Sequence, residues 1–131
     1  MMTIDDIIHL IKADESRTLE LKKSTGELKE AMHSACAFLN TDGGWLIFGI
    51  APSSLKIVGQ DVSDQTQREL SQALSHLEPA VDVRVEYIDV PNSSNQKIVA
   101  IHFIIPLESG HSHKQLRIIL YVGRKQSDCC L

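Results

Sequence analysis

The chain alternates between two hydrophobic periods, and each change of period marks an element. Ile4, Ile7, Ile8 and Ile11 recur at helical spacing and predict a short amphipathic helix over residues 3–12, with Thr3 as its N-cap and Asp5 and Asp6 in its first turn. Residues 17–22, Arg-Thr-Leu-Glu-Leu-Lys, alternate strictly and predict a strand. Leu19 and Leu21 would enter the core, leaving Thr18, Glu20 and Lys22 on the other face. Leu28, Ala31, Met32, Ala35, Phe38 and Leu39 form one apolar stripe, which predicts a helix over residues 26–40 that stops at Asn40-Thr41-Asp42-Gly43-Gly44. The uninterrupted run from Trp45 to Ile50 predicts a strand buried on both faces.

Ala51-Pro52-Ser53-Ser54 reads as a turn and Leu55 to Val58 as a short returning strand. Leu70, Ala73, Leu74 and Leu77 predict a helix over residues 64–77, closed by Pro79. Val81, Val83, Val85 and Tyr87 alternate with charged residues as a half-buried strand. Residues 97–105 supply a more buried one, and the two form an antiparallel hairpin. A polar loop and a last strand, Leu116 to Val122, complete the pattern. The expected fold is α+β: a single domain, with a mixed, mainly antiparallel sheet packed with about three helices.

The chain has 131 residues, 43% hydrophobic and 23% charged, enough for one real core. No apolar run approaches the roughly 18 residues of a membrane span, and the acidic N-terminal segment lacks the positive charge of a signal peptide. No membrane partner and a cytoplasmic location are expected. Cys36, Cys129 and Cys130 show no metal-ligand spacing; Cys36 reads as a small core residue and nothing calls for an oxidising compartment. The net charge is −4, unevenly spread: residues 1–89 carry −7 and residues 90–131 carry +3. A basic patch can be drawn from the C-terminal part together with Lys22 and Lys23.

Three groups could carry chemistry. Glu15, Glu20 and Lys22 are the minimum kit of a metal-dependent nuclease, in which paired carboxylates hold a divalent ion and a lysine meets phosphate. Their plain reading is charge pairing on a solvated strand. Thr41-Asp42-Gly43-Gly44 could offer backbone amides to an anion, but its glycines end a helix and no Gly-Lys-Ser/Thr follows, so it is no ATPase loop. His111 and His113, with His102, lack a completing ligand at a recognised spacing, and no metal site is expected there.

Together the segments ESRTLELKKS, AFLNTDGGWLIFGI and KIVGQD resemble the Schlafen AlbA_2 domain family, also described as divergent AAA-4. The shared pattern is an E-S-x-x-x-E-x-K strand, a helix ending in F-x-N-T-x-G-G, a hydrophobic strand ending in G-I, a turn and I-x-G. It covers about residues 4–90; Tyr121-Val122-Gly123-Arg124 only loosely echoes the family's closing Y-x-R-x-G. The resemblance implies an AlbA_2-like domain over residues 1–125, a C-terminal tail over 126–131, and a nucleic-acid-binding domain of a bacterial transcriptional-regulator-like protein. Lys22, Lys23, Lys114, Arg117 and Arg124 are the candidate contacts to DNA or RNA.

Some Schlafen proteins are endoribonucleases that use three acids. Two match Glu15 and Glu20, while the turn expected to supply the third is Ala51-Pro52-Ser53-Ser54; Asp61 follows the I-x-G element, out of register. The resemblance therefore implies a catalytic pair at Glu15 and Glu20, with Mg or Mn as cofactor, only under the nuclease alternative; otherwise no cofactor and no enzyme activity are expected. A protein-interaction or homodimerisation module is the other alternative, with strand edges at residues 81–90 and 116–122.

Overall fold

The computed structural model describes residues 2–13, 19–39, 43–78 and 82–104, with only the backbone described at 38–39, 78, 119–122 and 125–128. Helix α1 (Ile4–Ala13) starts where Thr3 and Asp6 bond reciprocally. The Thr3 N–H donates to the Asp6 carboxylate at 2.8 Å, and the Asp6 N–H donates to Thr3 Oγ1 at 3.4 Å. Such a pair satisfies two amides that the first turn would leave open. The Thr3 backbone bond also holds the Asp6 carboxyl below its ordinary range.

Strand β1 (Leu19–Lys22) is followed by a 3₁₀ turn (Thr25–Glu27), helix α2 (Leu28–Leu39) and strand β2 (Gly44–Phe48). β1 and β2 pair in parallel, so their connection must cross over, and α2 is that crossover. Helix α3 (Asp64–Ser75) begins at Ser63, whose Oγ accepts from Thr66 N–H while Ser63 N–H donates to Thr66 Oγ1, both at 3.2 Å. Strands β3 (Leu77–Glu78), β4 (Asp82–Asp89), β5 (Lys97–Ile104), β6 (Ile119–Val122) and β7 (Lys125–Asp128) complete the order.

The main sheet runs β1-β2-β5-β4, antiparallel except at β1–β2, and a smaller sheet runs β3-β6-β7. The expected α+β fold with three helices and a mixed sheet is the one observed. Side-chain alternation divides the main core into two. Leu46, Phe48, Val99, Ile101 and Phe103 pack against Ala31, Met32, Ala35 and Cys36 of α2 and Leu70 of α3. On the opposite face Ile47, Ile98, Ala100 and Ile88 pack against Ile7 of α1. β2 and β5, the interior strands, are apolar on both faces, as the run from Trp45 predicts.

Three regions depart most from the sequence expectations. Leu55 to Val58 does not form a strand: the chain makes a single antiparallel bridge, Ile50 to Ile57, around a turn in which Leu55 takes φ 60°. α3 ends at Ser75, with His76 as its C-cap, so Leu77 continues the apolar series from β3. β7 pairs with β6 in a stretch with no alternating signal.

Candidate nucleic-acid interface

The strict alternation of β1 sets the geometry of the first candidate cluster. Leu19 and Leu21 turn toward the α1 side of the core, which leaves Glu20 and Lys22 on the α2 side at the sheet's edge. Lys22 Nζ lies 3.8 Å from Glu20 Oε1 and 3.9 Å from Glu30 Oε2 of α2. The Lys22 side chain is only 15% exposed, against 35% for Glu20 and 77% for Glu30. Its stem is packed and its ammonium is shared between two carboxylates. Glu30 is a partner that strand alternation could not reveal, because it arrives from the crossover helix. The next residue, Lys23, is exposed, and its N–H donates to Glu27 Oε2 at 3.3 Å.

The backbone around this cluster is tied at several points. Lys22 O accepts from Gly49 N–H at 2.8 Å and from Ile50 N–H at 3.3 Å, which fixes the end of β1 to the end of β2. Gly49 O in turn accepts from Val58 N–H and Gly59 N–H, each at 2.8 Å. At Gly49, φ is 107°, and an added Cβ would lie 2.9 Å from Ile98 Cδ1 and 3.3 Å from Gly59 Cα. Two close backbones at positive φ explain why glycine stands at both places. Gln60 extends the clasp: its Oε1 accepts from Thr25 N–H at 2.9 Å and its Nε2 donates to Thr25 Oγ1 at 3.0 Å.

On the other face, register places Leu19, Trp45, His102 and Arg84 side by side across the four strands. The Trp45 and His102 rings stack with centroids 4.2 Å apart and planes 4° apart. Burial, and then the nearby Arg84 charge, lower the His102 pKa from its ordinary value. His102, considered from the sequence as a companion to His111 and His113, is thus a stacked ring.

The arrangement places the E-x-K strand, the crossover helix and the paired glycines in one local structure. The Schlafen AlbA_2 family matches residues 15–128, nearly the whole chain. The chain belongs to the Schlafen AlbA_2 family. A solved structure, the DIP2311 protein from Corynebacterium diphtheriae, is similar in fold, with a TM-score of 0.51 at 14% identity. The match covers 95% of this chain and 26% of that one, so the chain spans about a quarter of that protein's length. No curated protein matches it.

In this AlbA_2 domain the third-acid turn is Ala51 to Ser54, with no carboxylate, as the sequence indicates. Asp61 Oδ1 accepts from Gln96 Nε2 at 3.0 Å, a contact away from β1 in sequence and bonding. Among the described residues no three His, Cys, Asp or Glu side chains gather as a metal-binding group. Glu20, the one described acid of the pair expected under the nuclease alternative, lies 3.8 Å from the Lys22 ammonium. Gly43 takes φ 84°, a conformation open to glycine, immediately before β2. Glu15, Lys114, Arg117, Arg124, His111 and His113 lie outside the described residues, as do Thr41 and Asp42.

Proposed function

We propose that this AlbA_2 domain binds nucleic acid through a surface centred on the end of β1. The observation that carries this reading is family membership over residues 15–128. Exposed Lys23 and the +3 charge of residues 90–131 support it, and Lys114, Arg117 and Arg124 are the further candidate contacts. Lys22 shares its charge with Glu20 and Glu30, so Lys23 is expected to contribute more to phosphate attraction. No helix among the described residues is long and apolar enough to cross a membrane. A cytoplasmic transcriptional-regulator-like protein is the setting in which we place such a domain.

Fluorescence anisotropy with labelled tRNA, single-stranded RNA and duplex DNA at two salt concentrations tests this, with and without Mn²⁺ and with a gel check for cleavage. Salt-sensitive binding without cleavage is expected. Replacing Lys23 with Ala should reduce the salt slope by about 1. Absence of binding at low salt overturns the reading. Mn²⁺-dependent cleavage that Glu20→Gln abolishes would replace it with the endoribonuclease alternative.

A further inference from the structure

β4 is the terminal strand of the main sheet: β5 takes one edge, and among the described residues no strand takes the other. The direction of its free peptide groups follows from the hairpin. Val90 N–H donates to Gln96 O at 2.9 Å, continuing the β4–β5 register. Alternation then makes Ile88–Ile98, Glu86–Ala100 and Arg84–His102 the pairs whose peptide groups face β5. The peptide groups of Val83, Val85, Tyr87 and Asp89 point out of the sheet. The register is one-to-one from Asp82 to Asp89, with no bulge and no proline to blunt this edge.

A second copy of this chain can pair there antiparallel about a two-fold axis, and the outward peptide groups must then face each other. Side chains decide among the few registers that satisfy this. An axis at Val83 sets Asp82 opposite Arg84 but pairs only residues 82–84 of the strand, an axis at Arg84 sets Arg84 against Arg84, and an axis at Glu86 sets Glu86 against Glu86. An axis at Tyr87 sets Glu86 against Ile88 and Arg84 against Val90. An axis at Val85 sets Arg84 opposite Glu86 of the second copy, and the symmetry makes that pair twice. It also sets Val83 opposite Tyr87 of the second copy and Val85 opposite itself. Opposite charges and aromatic–β-branched pairs favour cross-strand neighbours, while like charges oppose them.

We propose that β4 is a homodimer edge, paired about Val85, which joins two main sheets into one continuous sheet. The occupant is a second copy because β4 complements its own sequence: Arg84 is exposed, Glu86 half-buried, and both lie on the α1 face. One strand edge is smaller than a standard interface, so association is weak and concentration-dependent.

Sedimentation equilibrium up to about 0.5 mM protein, in the range of weak interfaces, tests it. The unaltered chain should show a monomer–dimer equilibrium. Arg84→Glu should raise the dissociation constant about tenfold by setting Glu against Glu, and R84E/E86R should restore it by exchanging the partners. Amide exchange provides a readout without substitution. The Val83, Val85 and Tyr87 amides should gain protection as concentration rises, while the Arg84, Glu86 and Ile88 amides stay protected throughout. A monomer at every concentration overturns the proposal, as does a dimer whose Val83, Val85 and Tyr87 amides exchange freely. A dimer that R84E leaves unchanged overturns the register.

Discussion

The two faces of the four-stranded sheet are built from the same strands and differ in what they tolerate. On the α2 face, aromatic and aliphatic side chains run from Phe48 through Val99 to Tyr87, and the polar pair Glu20–Lys22 stands only at the β1 edge. On the α1 face, the isoleucines around Ile7 give way to the row of Trp45, His102 and Arg84. The interior strands β2 and β5 carry the apolar load on both faces, with His102 as an exception. Charge collects on the edge strands, β1 and β4, and at Lys97 at the start of β5, which pairs with Asp89 of β4. The difference teaches that the buried core rests mainly on the interior strands, while the charged groups of the proposed interfaces lie mainly on the edge strands.

The largest test of that contrast is in the cores. Phe48 and Ile7 are both fully buried, but Phe48 faces two helices and Ile7 belongs to one. Phe48→Ala should cost about 3–5 kcal/mol in urea unfolding, and Ile7→Ala about 2–4 kcal/mol. An Ile7→Ala cost equal to or above that of Phe48→Ala would break the asymmetry between the faces. A smaller effect is expected at the β1 edge. Lys22→Met keeps the packed stem and removes the ammonium from Glu20 and Glu30. With pairs at 3.8 and 3.9 Å and Glu30 largely exposed, the change in stability should stay below about 1 kcal/mol. A loss of core size would show that this edge holds the fold together.

The same division explains what the sequence made legible. β2 was readable because an interior strand is apolar without interruption, and β1 because an edge strand alternates. Glu20 and Lys22 sharing a face followed from that alternation alone. Glu30 did not, since nothing local says which turn of α2 crosses β1. The stacking of Trp45 on His102 depends on the β2–β5 register, which joins residues far apart in sequence. β3 was hidden because Leu77 extends the apolar stripe of α3 by one helical step, and the change of direction rests on the His76 cap. His76 N–H bonds back to Ala73 O at 3.2 Å, a backbone event with no residue-type signature.

The smallest effect belongs to His102, where the α1 face departs from an apolar core. Its neutral ring is favoured in the folded chain, first by burial and then by Arg84. In the unfolded chain an imidazole titrates near its ordinary value, about 6.5. Below that pH the unfolded state binds more protons than the folded state, so stability rises with pH in this window. The contribution of the neutral ring is full above about pH 6.5 and is lost as pH falls toward the lower folded value. His102→Phe preserves an aromatic partner for Trp45 and removes the titration. Urea midpoints of both proteins at about pH 5.5 and about pH 7.5 should show the substituted chain losing less on acidification. An equal loss in both would place the acid sensitivity elsewhere and make the stacked row an inert part of the α1 face.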